Sequence, residues 1–181
     1  MKLWVCIAGL SSMLLAVGAT SSILEMTPPI RGLARANLRD TFEDVHDGHK
    51  HEAIDIMVPR GTPVRAVVSG TIRKLFLSKP GGNTIYQFDE TEAYCYYYAH
   101  LDGYAKGLRE GMRVERGDVI GFVGSTGNAD SGSPHLHFAI AELGSEKLWW
   151  KGNAVDPYPF LVDAVKRAKY SRSANRRRQT N

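Results

Sequence analysis

Short apolar runs separated by turn-forming residues are the feature that most constrains the fold of this chain. From residue 55 onward the runs are rich in Val, Ile, Phe and Tyr, and Gly, Pro, Asn and Ser lie between them, which is the composition of β-turns. The runs occupy residues 64–69, 71–77, 84–88, 93–100, 119–123 and 135–141. Such spacing leaves too little chain for helical crossovers, so we predict a mainly all-β domain with an antiparallel sheet.

One helix is predicted near the C-terminus. Apolar residues recur close to the helical period over residues 159–167, which indicates one short helix. Lysines and arginines between residues 166 and 178 then supply much of the net charge of +4. This basic tail is either an electrostatic contact for an anionic envelope polymer or a nucleic acid, or simply a solvated end.

The N-terminus carries the pattern of an export signal. Lys2 precedes an uncharged apolar run over residues 3–19 that ends in the small residues Val17-Gly18-Ala19. We therefore predict a signal peptide at 1–19 and a protein exported to the periplasm, the cell envelope or the medium, with no permanent membrane span once the signal is cleaved. An uncleaved membrane anchor is the alternative, although the run is at the short limit for a spanning helix.

The cysteine count fits an exported domain with a core of its own. Of the two cysteines, Cys6 lies within the predicted signal and Cys95 remains alone. No intramolecular disulfide is therefore expected in the mature chain, which at this length has enough residues for one domain without such a bond.

Histidines in three separate segments suggest a metal or reaction site. In His135-Leu136-His137 the strand period of two places both imidazoles on one face. Two neighbouring imidazoles suit a shared metal site, while a pair of partly exposed strand histidines is the plainer interpretation.

A second segment supplies the other ligand types that zinc prefers. His51 and Asp55 bracket the start of the first strand, and a catalytic zinc takes three protein ligands with a fourth position open to water. His51, Asp55 and one member of the His135/His137 pair are the candidate ligands.

Proton transfer needs another residue, because the chain has no His-Glu-x-x-His motif and thus no helical zinc site with a glutamate base. The third segment places His100 at the end of an aromatic strand. His100 and the unligated member of the His135/His137 pair are the candidates, since imidazole titrates near neutral pH.

Together these segments resemble the lysostaphin and LytM type of zinc metalloendopeptidase, a family of murein hydrolases. The similarity spans roughly residues 38–161, and its specificity lies in the occurrence of several motifs in one order. The matching segments are His51-Glu-Ala-Ile-Asp55, Tyr98-Ala-His100-Leu101, Gly117-Asp-Val-Ile-Gly121 with Gly124 and Gly127, Ser133-Pro-His135-Leu-His137, and Asp156-Pro-Tyr-Pro159.

This resemblance implies one Zn²⁺ per chain, with His51, Asp55 and His137 as ligands and His100 and His135 as catalytic residues. It also implies a sheet with a groove, of the duplicated-hybrid-motif or barrel-sandwich type. His135 would accept or orient the proton of the attacking water and His100 would stabilise the oxyanion. These two roles are exchangeable.

The implied substrate is bacterial peptidoglycan, cut in its peptide cross-links, with D-alanyl-diaminopimelate bonds preferred. Aromatic residues such as Tyr96 and Tyr98 are candidates to line the groove, although strand alternation would place at least half of these tyrosines in the core. Residues 38–161 would form the peptidase domain, residues 20–37 a linker or N-terminal arm, and residues 162–181 the short helix and tail.

Other interpretations remain open. A relative of the same fold that binds the wall or activates an amidase without catalysis would lack zinc. The hairpin pattern of residues 110–121 is similar to that of lipoyl and biotinyl carrier domains, but the sequence has no matching lysine motif at a hairpin tip. Nucleic-acid binding rests on the basic tail alone and is not expected, and a monomer is favoured. We expect His49 at the surface or the rim of the site and His46 in a loop.

Overall fold

The computed structural model describes residue 23, residues 25–46 and residues 48–179. The predicted signal peptide lies outside the described residues. The regular elements of the described residues are eleven strands, a short 3-10 helix (Arg35–Asn37) and a long α-helix, α1 (Tyr158–Gln179). The strands are β1 (Val45–His46), β2 (His49–Lys50), β3 (Ile54–Met57), β4 (Pro63–Arg65), β5 (Gly70–Ser78), β6 (Gly82–Asp89), β7 (Tyr94–Tyr104), β8 (Arg113–Val114), β9 (Val119–Val123), β10 (His135–Leu143) and β11 (Gly152–Val155).

All strand pairs of this part of the chain are antiparallel, as predicted. β1 and β2 form a separate hairpin, and the other nine strands form one sheet with the order β11-β10-β7-β6-β5-β8. Strand β10 pairs with β7 along one edge, while β3 and β11 share its other edge. The fold class expected from the sequence is confirmed by these pairings.

Strand alternation decides which side chains of β10 enter the core. Leu136, Phe138 and Ile140 are buried, whereas His135 and His137 lie on the opposite face. Strand β3 alternates in the same way, so that Ile54 and Ile56 are buried and Asp55 is only partly so. Burying these apolar side chains therefore fixes the face on which the polar side chains stand.

The tyrosines of β7 correct one expectation. Tyr96 and Tyr98 are fully buried in the core, so the prediction that they line a groove is wrong. The Tyr98 hydroxyl donates to Gln87 Oε1 at 2.9 Å and accepts from the Val67 N–H at 3.1 Å. Tyr97, on the other face of β7, reaches the groove instead, together with Tyr86 of β6.

The segment before the sheet packs against the core. Met26, Ile30 and Leu33 are buried, and two backbone hydrogen bonds, Thr27 N–H to Val67 O and Arg65 N–H to Pro29 O, join this segment to the domain. Residues 25–38 are hereafter the N-terminal arm. Buried side chains and backbone hydrogen bonds therefore hold this arm against the domain.

Helix α1 is longer than the predicted 159–167 and includes most of the basic tail. Its start is set by Asp156, whose Oδ1 accepts the Tyr158 N–H at 2.8 Å, and by Pro159, which needs no hydrogen-bond acceptor in the first turn. Leu161, Ala164 and Val165 bury one face of the helix. No helix in the described part of the chain is both long and apolar enough to span a bilayer.

Candidate metal centre

The register of β10 brings Asp55 and His137 together. His137 pairs with Asp55 of β3 on one side and with Ala99 of β7 on the other. Residues directly opposite in an antiparallel pair have side chains on the same face. His137 Nδ1 is consequently 3.2 Å from Asp55 Oδ1.

His51 enters this cluster from the chain segment that precedes β3. Glu52 has a φ of +52°, which turns the chain between β2 and β3. The His51 backbone N–H donates to Asp44 O, and its ring Nδ1 is 3.0 Å from the carbonyl oxygen of Thr41. A carbonyl only accepts, so Nδ1 carries a proton. In the neutral ring Nε2 therefore presents a lone pair to the cluster, whereas in the protonated ring Nε2 donates to Asp55.

The three side chains fit a metal ion. His51 Nε2, Asp55 Oδ1 and His137 Nδ1 are separated by 3.1, 3.3 and 3.2 Å, and one ligand atom from each residue lies within 4.8 Å of the others. Ligands about 2.0–2.1 Å from a tetrahedral zinc are roughly 3.3–3.4 Å apart. Two imidazoles and one carboxylate, with a fourth position left for water, are therefore a suitable zinc donor set. We call this candidate ligand set, His51, Asp55 and His137, the metal centre.

The electrostatics of the metal centre also favour a cation. Burial alone would raise the pKa of Asp55, but hydrogen bonds from His137 and His51 outweigh it and hold that pKa well below its usual range. The hydrogen bond to Asp55 raises the pKa of His51, while burial lowers the pKa of His137. A carboxylate that stays ionised beside converging imidazole nitrogens attracts either protons or a metal ion.

His100 reaches the same face through an irregularity in β7. It has a φ of +57°, and the register of β7 against β6 shifts between Tyr98 and Leu101, where His100 lies. This bulge turns the ring toward His135 and His137, with centroid distances of 4.8 and 5.6 Å. Its Nδ1 is 2.8 Å from the Thr126 carbonyl oxygen, and burial lowers its pKa, which favours the neutral ring.

His135 stands beside the metal centre on the face shared with His137. Its Nδ1 is 2.9 Å from the carbonyl oxygen of Ser133, and its Nε2 is 3.9 Å from Asp55 Oδ1. His135 and His100 therefore both use Nδ1 as a donor to the backbone. When neutral, each has a lone pair on Nε2 that can accept a proton.

Thr41 is a positioning residue that the sequence did not reveal. Its Oγ1 accepts the Asp55 N–H at 3.2 Å and donates to Ala53 O at 3.1 Å, while its carbonyl holds the His51 ring. It is 8% exposed. A single threonine ahead of the first motif has no sequence signature, so only the fold identifies it.

A groove extends from the metal centre along an aromatic wall. A cavity of about 340 Å³ is lined by His51, His137, Tyr97 and the tryptophans Trp149 and Trp150 of the β10–β11 connection. The Tyr97 ring lies 5.8 Å from that of His137, and Trp150 is 62% exposed. The site therefore offers an open, largely aromatic surface next to the metal centre.

The remaining histidines lie outside the metal centre. His49 is exposed on β2, as expected for a surface residue, whereas His46 lies opposite it on β1 and not in a loop as predicted. Neither belongs to the candidate metal ligands found among the described residues.

Comparisons with known proteins agree with this geometry. The model of "Peptidase family M23" matches residues 49–157. The chain is 37% identical over 116 residues to the L-Ala--D-Glu endopeptidase of Bacillus subtilis, covering 61% of this chain and 34% of that protein. It is 40% identical over 95 residues to the DD-carboxypeptidase/endopeptidase Mpg of Neisseria meningitidis, covering 52% and 20% respectively. The chain thus spans about a third or less of the length of these curated relatives.

A solved structure supports the same relationship. The catalytic domain of lysostaphin from Staphylococcus simulans aligns with a TM-score of 0.54 and 32% identity, covering 76% of this chain and 88% of that domain. The family match includes every residue of the metal centre as well as His100 and His135. The chain therefore belongs to peptidase family M23.

Proposed function

We propose that this protein is a zinc-dependent endopeptidase that hydrolyses the peptide cross-links of bacterial peptidoglycan. The observation that carries the proposal is the intact metal centre, with two further imidazoles beside it at the end of an open groove. A relative from Vibrio cholerae that is named peptidoglycan DD-endopeptidase ShyC, and is 32% identical over 97 residues, supports the substrate class.

His51, Asp55 and His137 would hold the metal through the atoms that already converge. When bound, zinc supplies Lewis acidity, which polarises a carbonyl and activates water near neutral pH. The backbone holds the metal-binding side chains, since Thr41 fixes His51 and the register of β3 and β10 fixes Asp55 against His137. This preorganisation keeps the ligands in place without the metal.

His100 and His135 would share the proton chemistry. A neutral ring of either residue accepts a proton at Nε2, whereas donation to an oxyanion from Nε2 requires the protonated ring. Because burial favours the neutral ring of His100, we propose His100 as the proton acceptor and His135 as the donor to the carbonyl oxygen. This is the exchange of the two roles that the sequence alone suggested.

The aromatic groove would bind the peptide. Tyr97, Trp149 and Trp150 offer apolar faces, while Glu52 and Lys151 supply one charge of each sign to the same cavity. An extended peptide of alternating apolar and charged side chains matches such a lining. The named relatives cut different bonds, and we propose D-alanyl-diaminopimelate cross-links, in agreement with the name of the Neisseria relative. An exported location in the periplasm or cell envelope belongs to the same proposal.

The test combines metal analysis with digestion of purified peptidoglycan. The protein should contain about one zinc per chain and release cross-link fragments that mass spectrometry identifies by the bond cut, and a chelator should abolish the release. His137→Ala should lose zinc and activity together. His49→Ala is the matched control, since His49 is an exposed histidine outside the metal centre, and it should keep both.

Two outcomes would contradict the proposal. A protein that binds the cell wall but holds no zinc and cuts nothing would be a non-catalytic regulator of the same fold. If the protein held zinc but cut only L-Ala–D-Glu or glycyl bonds, the assignment as a zinc peptidase would stand and the proposed D-alanyl-diaminopimelate specificity would be wrong.

A further inference from the structure

A second cavity lies between the N-terminal arm and helix α1. Its volume is about 680 Å³, against about 340 Å³ for the cavity beside the metal centre. Residues of the arm from Thr27 to Arg35 line one side and residues of α1 from Val165 to Lys169 line the other, together with Arg65 and Gly117. Neither the metal-binding nor the catalytic histidines line it, so it is a separate site. We call it the cationic groove.

The lining of the cationic groove combines apolar side chains with positive charge. The apolar contributors include Ile30, Leu33, Val165 and Ala168, and none of the described residues that line the groove is acidic. The basic residues of the lining are Arg31, Arg35, Arg65, Lys166 and Lys169. An apolar interior with cations and no carboxylate complements a molecule that has an apolar chain and an anionic head.

Two of these cations have no partner among the described residues of the chain. Arg35 donates to the Leu38 carbonyl and the Tyr158 hydroxyl, and Lys166 pairs with Asp163 at 3.2 Å. For Arg31 and Lys169, by contrast, the described residues provide neither a hydrogen-bond acceptor nor an ion-pair partner. Both side chains are exposed. They are therefore available to an external anion.

Arg65 adds an unsatisfied donor at the same place. Its terminal nitrogen donates to Gly117 O at 2.6 Å, but its Nε is buried and has no acceptor among the described residues. A buried N–H without an acceptor is destabilising, and a ligand oxygen in the groove would remove that cost.

The sequence pattern before the groove would bring it near a membrane. The apolar run over residues 3–19 is predicted to be a signal peptide or an anchor, and in either case it would enter a bilayer. The chain between Ala19 and Thr27, the first residue of the groove lining, spans at most roughly 30 Å even when fully extended. While that run is in the membrane, the groove lies within reach of the lipid head groups.

We propose that the cationic groove binds an anionic phospholipid. One acyl chain lies against Ile30, Leu33 and Val165, and the phosphate lies between Arg31 and Lys169. The volume falls within the ~300–1,000 Å³ typical of small-molecule sites. Lipid bound there holds the domain against an anionic leaflet, independently of the activity of the metal centre.

The test is calorimetric titration of the full chain with short-chain lysophosphatidylglycerol below its micelle concentration. The double variant Arg31→Gln/Lys169→Gln should raise the Kd roughly 30-fold, since each cation near an anionic head group contributes about fivefold. Lys106→Gln/Arg109→Gln is the control, because it removes the same charge at exposed residues outside the groove and should leave the Kd unchanged.

Two further ligands separate a lipid site from other anion sites. Lysophosphatidylcholine, which has the same chain and a neutral head, and glycerol 3-phosphate, which has the head and no chain, should each bind at least tenfold more weakly. Equal loss of affinity in both double variants would overturn the proposal in favour of bulk charge attraction. Equal affinity for glycerol 3-phosphate would overturn it in favour of a simple phosphate site, and no binding by the unmodified chain would refute it.

Discussion

The metal centre and the cationic groove differ in how the fold assembles them. In the metal centre, paired strands fix Asp55 opposite His137, and the carbonyl oxygen of Thr41 orients the His51 ring. In the cationic groove, the arm and α1 meet through apolar packing, and the charged side chains at the rim are mostly exposed. A metal needs ligand atoms placed to within a few tenths of an ångström, which hydrogen-bonded register provides, whereas an amphiphile needs only apolar contact and charge of one sign.

This difference predicts opposite responses to substitution. Side chains of the metal centre and its neighbours lie on the face of the sheet opposite the core. Replacing them should therefore change zinc binding and catalysis more than the free energy of unfolding. Residues of the cationic groove such as Leu33 and Val165 belong to the core, so replacing them should change stability more than chemistry.

The largest effect is expected at His100. His100→Ala should lower kcat by about 10²–10⁴-fold while zinc content stays unchanged, because a proton acceptor is lost and no ligand is removed. His100→Gln should be as slow as His100→Ala if the ring acts as an acceptor, since an amide cannot take up the proton. Steady-state kinetics on a cross-linked peptide, with zinc measured in the same samples, provides the comparison.

Substantial recovery of kcat in His100→Gln would contradict this assignment. An amide donates a hydrogen bond well, so recovery would identify His100 as the oxyanion donor and return the acceptor role to His135. Loss of zinc in either variant would place His100 among the ligands instead.

The next effect tests the other region. Leu33→Ala should lower the free energy of unfolding by about 2–3 kcal/mol, because a nearly buried side chain leaves a cavity between the arm and the core. Zinc content and kcat should not change. Denaturant unfolding is the measurement, and Leu77→Ala, at a leucine that is 72% exposed, should change stability by less than about 0.5 kcal/mol. A large fall in kcat with unchanged stability would show that the arm supports the metal centre directly.

A smaller change is expected at Thr41, which supports the metal centre from behind. Thr41→Val keeps the shape but removes the oxygen that accepts the Asp55 N–H, and it should weaken zinc binding about 10–100-fold. Thr41→Ser keeps the oxygen and should bind zinc nearly as well as the unmodified protein. Competition with a chromogenic chelator measures both affinities, and equal affinity for Val and Ser would remove Thr41 from the positioning residues.

Much of the fold could be predicted because local patterns and packing agree. The predicted run at 119–123 coincides with β9, and the run at 135–141 lies within β10. Turn residues and apolar alternation are local properties, and burial of Leu136 and Phe138 allows only one face for His135 and His137. The placement of this histidine pair on one face was therefore predictable from the residues alone.

The rest depended on contacts between distant parts of the chain. Regular alternation would place His100 on the core face with Tyr98, and only the bulge at His100 reverses this. Tyr96 and Tyr98 are buried because their face of β7 packs against the core. The sequence of β7 does not show which of its two faces this is. The length of α1 was underestimated because its last turns lack the apolar period on which the prediction rested.

The smallest expected effect lies at the mouth of the groove, where Trp150 is exposed and its ring contacts that of Trp149 at a centroid distance of 5.1 Å. Trp150→Ala should raise KM for a cross-linked peptide about 2–10-fold with kcat unchanged, because one aromatic contact with bound peptide contributes on the order of 1 kcal/mol. Tyr170→Ala removes a comparably exposed ring on α1, outside the groove, and should leave KM unchanged. A fall in kcat at constant KM would instead mean that Trp150 acts only in the transition state. The aromatic wall would then depend on exact side-chain placement, as the metal centre does.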